Sequence, residues 1–144
     1  MSVAEEFIYT TMGEIANIIG NMNKLKYENM NMYKNFLRIQ VMSIAKNHNF
    51  TSKKNYSLEN KFGEPINIDV IWKGKSGMTI ASFIISEHYN EKVRQSLCIC
   101  DAPYKFWIYL EDKDIHNIKE IVKTNNVHFI PMSKVPADIL YYSS

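Results

Sequence analysis

The sequence predicts an α/β fold, a mixed β-sheet flanked by helices, with one additional helix at the N-terminal end. Three observations carry that prediction. Apolar residues recur at helical spacing through the first third of the chain, and the period shortens to two from about residue 49. Short Gly- or Pro-bearing connections then separate alternating strand-like and helix-like segments.

Residues 3–22 place Val3, Phe7, Ile8, Met12, Ile15, Ile19 and Met22 on one face of an amphipathic helix. Gly20 to Lys26 is polar and reads as a break. A second helix is expected over about 28–48, with Met30, Tyr33, Leu37, Val41 and Ile44 on one face. Core packing accounts for both stripes better than a partner surface does. Three strands follow, "FTSKKNYSLE", "INIDVIWK" and "MTIASFIISE", with "NKFGEP" and "GKSG" as hairpin loops. Loops this short make consecutive strands antiparallel neighbours.

Residues 91–100 return to a helical pattern through Val93, Leu97 and the cysteines, and "KFWIYLE" is apolar enough to be a central strand. A helix over 114–124 turns Ile115, Ile118, Ile121 and Val122 inward. "VHFI" is a last strand closed by Pro131, and a short helix from Pro136 is expected beyond it. Hairpins followed by αβαβ crossovers give the mixed sheet.

A chain of 144 residues is expected to form a single domain over 1–144, with an N-terminal helix at about 3–22. Hydrophobic residues make up 46% and charged residues 22%, which excludes a disordered chain. No apolar run approaches the roughly 20 residues that cross a bilayer, so no membrane partner is expected. The N-terminal stretch lacks a basic region and carries Glu5, Glu6 and Glu14, unlike a signal peptide. Cys98 and Cys100 are the only cysteines, too few for a zinc site, and reduced thiols fit a cytoplasmic setting.

His48, His88, His116 and His128 lie on separate segments, without the spacing of a zinc hydrolase, although His88 stands beside Glu87 and near Lys92. No nucleophile elbow, P-loop or dinucleotide-binding glycine pattern is present. Trp72, Tyr104, Phe106, Trp107 and Tyr109 could stack on bases, but alternation along their strands assigns most of them to the core.

Net charge is +2, from 17 basic and 15 acidic residues. Residues 51–77 lean basic, and Lys53, Lys54, Lys73 and Lys75 are the candidates for contacting nucleic-acid phosphates. Ordinary lysines at solvated hairpin ends are the competing explanation.

The stretch "EPINIDVIWKG" sets Asp69 between Ile68 and Val70, and aspartate is among the residues a β-branched strand tolerates least. Either Asp69 lies on a solvated face or it does chemistry. "SLENKFGEPINIDVIW", "TIASFIISE" and "EKVRQSLCICDA" leading into "KFWIYLE" follow an αβββαβ order over roughly 28–131. In this the chain resembles the PD-(D/E)xK nuclease superfamily, the restriction-endonuclease-like fold.

The resemblance implies that Asp69 is a metal-binding aspartate and that Glu59 or Glu28 is the upstream acid. In such a site two carboxylates hold magnesium, which polarises the scissile phosphate and activates a water. An acid and a lysine at i and i+2 of the third strand share one face. Here the pattern departs. Aligning "FIIS" with the family's "FEVE" puts Ile84 and Ser86 at those positions, and a shift by one puts Ile85 and Glu87 there. Lys92 or Arg94, from the following helix, would have to supply the base.

The expected function is therefore a nuclease-like nucleic-acid-binding or assembly module with an inactive metal site and no cofactor. One alternative is an active nuclease using Glu59, Asp69, Glu87 and Lys92, with magnesium on Asp69 and Glu87. Another is a small interaction or regulatory domain with no nucleic-acid role. DNA or RNA, a second copy in a homodimer, or a larger protein complex are the partners these readings allow.

Overall fold

The computed structural model describes residues 2–23, 25, 27–110 and 118–131. Helix α1, Val3–Met22, starts at a reciprocal cap: the Ser2 hydroxyl accepts from the Glu5 N–H, and the Glu5 carboxylate accepts from the Ser2 N–H. It continues through Gly20, where the polar composition suggested a break. Helix α2, Met30–Ile44, is capped by Asn29, whose side chain accepts from the Met32 N–H at 2.9 Å. A 3-10 turn over Ala45–His48 follows it and ends at Asn49, whose φ of 62° is left-handed.

Five strands and two more helices complete the described chain. They are β1 Thr51–Glu59, β2 Pro65–Lys73, β3 Thr79–Ser86, α3 Glu91–Ile99, β4 Tyr104–Tyr109, α4 Ile118–Asn125 and β5 His128–Pro131. The sheet order is β1-β2-β3-β4-β5. β1, β2 and β3 are antiparallel, whereas β3, β4 and β5 are parallel, so the sheet is mixed as the pattern predicts. β4 lies between β3 and β5, which agrees with its continuous apolar run.

Helices cover both faces of the sheet. Met12, Ile15 and Ile19 of α1 and Leu37 and Val41 of α2 pack against Val70, Trp72, Phe83, Phe106 and Ile108. On the other face Leu97 of α3 packs with Ile68, Ile71, Ile84, Trp107 and Phe129, and α4 adds Ile118, Ile121 and Val122 at its margin. Val3 and Met30, assigned to the helix stripes, are 86% and 36% exposed because each sits at a helix start beyond the sheet. Of the five candidate stacking residues, Trp72, Phe106, Trp107 and Tyr109 are buried in the core and Tyr104 is partly exposed. Ile115 and the short helix expected from Pro136 lie outside the described residues. Among the described residues no helix is long and apolar enough to cross a membrane.

The β1–β2 ladder changes face halfway. Ile68, with Tyr56 opposite it, belongs to the α3 side, yet Val70 and Trp72 belong to the α2 side. Strict alternation would keep these even-numbered residues on one face. Between them stands Asp69, across from Asn55, whose φ of 53° is left-handed. Asparagine tolerates that conformation better than a β-branched residue does. The hairpin therefore turns over at Asp69.

Burial pushes the His128 imidazole below its ordinary pKa of 6.5, with the Phe106 ring 5.5 Å away. The folded state resists a proton that the unfolded chain accepts freely, so stability falls as pH drops through that value. Urea unfolding at pH 7.5 and pH 5.5 should show a smaller loss for His128→Gln than for wild type. Equal losses would assign the acid sensitivity to other groups.

Candidate functional site

The cleft begins where β2 and β3 part. Their register runs from Lys73 opposite Thr79 to Val70 opposite Phe83. Beyond that point β2 continues toward Pro65 paired with β1 alone, and Ile84, Ile85 and Ser86 pair with Trp107, Ile108 and Tyr109 of β4. Asp69 is the first β2 residue past the split. Its Oδ2 accepts the backbone N–H of Ile85 at 2.7 Å, so a side chain continues the link where the backbone ladder stops.

The opening is a cleft of about 290 Å³ between α2 and α3. Its floor includes Asn67, Asp69, Ile84, Ile85 and Ser86, and its walls carry Lys34 and Arg38 of α2 and Lys92 of α3. Glu87, His88 and Asn90 line it from the β3–α3 connection.

Asp69 is buried at 6% exposure, and its charge is met by Arg38. The Arg38 Nε donates to Asp69 Oδ1 at 2.9 Å, and Nη2 lies 2.7 Å from the same oxygen. Nη1 donates to Asn35 Oδ1 at 2.6 Å, one helical turn back on α2. The guanidinium is thus held from two sides. This answers the question that the strand posed: Asp69 is neither solvated nor unpaired, and its partner lies 31 residues upstream.

The floor is fixed from below. The buried Trp107 indole N–H donates to the Ser86 hydroxyl at 2.8 Å. The Ser96 hydroxyl of α3 donates to the Asn67 carbonyl at 3.0 Å, tying that helix to β2. At the start of α3, Asn90 caps the Val93 N–H at 3.0 Å. Glu91, in an ion pair with Arg94 and a hydrogen bond with Gln95, is held down at about 2.

Of the residues singled out in the sequence, Asp69, Glu87 and Lys92 come together along the cleft. Glu59 does not line it. It is exposed at the end of β1, opposite Pro65 and about 13 Å along the strand from Asp69. Glu28 is exposed before α2, and Arg94 is exposed and paired with Glu91.

Lys53 and Lys54 are exposed on the edge strand β1, where lysines discourage pairing with another sheet. Lys73 stands at the end of β2, its ammonium 5.3 Å from the Tyr56 ring centroid, and Lys75 is exposed on the β2–β3 turn. None of these four lines the cleft.

Lys34 and Arg38 were not singled out by the sequence reading. A signal existed: they are spaced i, i+4 on a helix "MNMYKNFLRIQVMSI" that contains no acidic residue to pair with them.

The donor set does not fit a magnesium ion. Ile84 and Ser86 provide no carboxylate, and among the described residues no group of three or more His, Cys, Asp and Glu is placed so that it could hold a metal ion. Arg38 occupies the Oδ1 side of Asp69, and a dication there would meet a fixed positive charge. What fold and site define is an α/β domain whose sheet splits into a cation-lined cleft. Comparison with protein-family models, with curated proteins and with solved structures found no match.

Proposed function

We propose that this chain is a non-catalytic nucleic-acid-binding or assembly module on a nuclease-like α/β scaffold. The Arg38–Asp69 pair carries this reading. At the strand position where the resemblance calls for a metal-binding aspartate, both carboxylate oxygens accept from protein donors and the adjacent charge is a guanidinium. The order α2-β1-β2-β3-α3-β4 supports the scaffold, since it is the αβββαβ order of the PD-(D/E)xK superfamily. Lys34 of α2 and Lys92 of α3, both lining the cleft, support a negatively charged partner.

An assembly role has its own supporting feature. Met32, Phe36 and Ile39 of α2 are 49%, 39% and 46% exposed at helical spacing.

The test combines cleavage and binding. Incubation of duplex DNA, single-stranded DNA and RNA with magnesium or manganese should give no cleavage. Fluorescence anisotropy should show weak binding that falls steeply with salt, because released counterions drive it. Each of Lys34→Glu and Lys92→Glu should weaken binding more than Lys53→Glu or Lys75→Glu does. Absence of binding at low ionic strength would favour the interaction-domain alternative. Cleavage abolished by both Asp69→Ala and Glu87→Ala would establish an active nuclease instead.

A further inference from the structure

We propose that the cleft between α2 and α3 binds one terminal phosphate group, the phosphomonoester of a nucleotide or of a nucleic-acid strand end. This rests on the nucleic-acid reading above and narrows it.

The donors lining the cleft come from different elements. Lys34 stands on α2 and Lys92 on α3, and Arg38, also on α2, lines the same cleft against Asp69. A guanidinium has five N–H donors. Arg38 uses its Nε donor and one on each terminal nitrogen for Asp69 and Asn35, which leaves one on Nη1 and one on Nη2. Its orientation is already fixed by those partners, so binding an anion orders nothing new at that residue. Ser86 accepts from Trp107 and keeps its own hydroxyl proton to donate.

Charge supports the same ligand. Arg38 offsets Asp69, which leaves Lys34 and Lys92 against Glu87, with His88 at the rim. A phosphomonoester presents three acceptor oxygens and close to two negative charges, so donors from the two helices can each take an oxygen. An internal phosphodiester offers only two free oxygens and enters with chain on both sides. A space of about 290 Å³ suits one small group.

The experiment compares one oligonucleotide in three forms, with a 5′-phosphate, a 3′-phosphate or hydroxyls at both ends, together with a mononucleotide, at low salt. At least one phosphorylated form should bind about tenfold tighter than the hydroxyl form, the value of one good charge-assisted contact. Lys34→Ala and Lys92→Ala should each abolish that preference, whereas Lys123→Ala on α4 should leave it intact. Circular dichroism of each variant checks that the fold is kept.

Binding of the mononucleotide as well identifies a free nucleotide as a sufficient ligand. Binding of the strand alone assigns the site to strand ends. Binding of the mononucleotide without any strand keeps the phosphate site and removes the nucleic-acid module reading. Equal affinity of phosphorylated and hydroxyl strands overturns the terminal-phosphate inference and leaves the module reading standing. No binding by any form removes the terminal-phosphate inference and the nucleic-acid reading together, and leaves the assembly role.

Discussion

Arg38→Ala should lower the unfolding free energy by about 3–5 kcal/mol, because it leaves the buried Asp69 carboxylate without its counter-charge. The loss should exceed what packing alone predicts, since the rest of the Arg38 side chain is partly exposed. Asp69→Asn should cost less than Arg38→Ala. The introduced amide can still accept from Ile85 N–H, and Arg38 can turn toward solvent. The double variant Arg38→Ala with Asp69→Asn should recover much of the Arg38→Ala loss, because no buried charge remains unpaired. Urea unfolding of the four proteins closes the cycle. If Arg38→Ala falls within about 1 kcal/mol of wild type, the carboxylate tolerates isolation and the pair does not hold the cleft together.

Trp107→Ala should be comparably severe, at about 3–5 kcal/mol, the range for removing a large buried aromatic. Trp107 is fully buried on β4, among Tyr89, Tyr109 and Phe129, and its N–H reaches the Ser86 hydroxyl beneath the cleft. Trp107→Phe keeps most of the ring volume and removes the donor, so its cost should be about 1–2 kcal/mol. The ordering is the check. Equal losses for the two variants would mean that the hydrogen bond outweighs the packing, contrary to the contacts around the ring.

The elements were legible because each depends on local period. Tyr33, Leu37, Val41 and Ile44 mark the buried face of α2, and Phe106 and Ile108 against Trp107 and Tyr109 divide β4 between two layers. The two turns were legible because their chemistry is local. Gly63 and Gly77 take φ of 76° and 82°, which a side chain would strain, and Asn60 accepts from the N–H groups of Phe62 and Glu64. The ends of the stripes misled. Helical spacing identifies a face without saying how far the sheet beneath it extends, and so Val3 and Met30 protrude.

The cleft was legible in part. Asp69 stood out because its residue type contradicts its strand, and Glu87 and Lys92 follow from the strand–helix connection beside it. Its partner could not be read the same way. A carboxylate in a strand announces that something must offset its charge, but any cation in the chain can do so.

By itself the sequence determined the element order, the faces of the helices, the antiparallel hairpins and Asp69 as the anomalous position. Each of these depends on periodicity or on residues within a few positions. Only the tertiary structure decided that Arg38, 31 residues away, takes up Asp69, and that Lys34 of α2 and Lys92 of α3 line one cleft. It also decided that the β1–β2 ribbon turns over at Asn55 and Asp69, where β2 and β3 separate. Those outcomes depend on where the packed helices come to rest against a twisted sheet, and no local spacing encodes that distance.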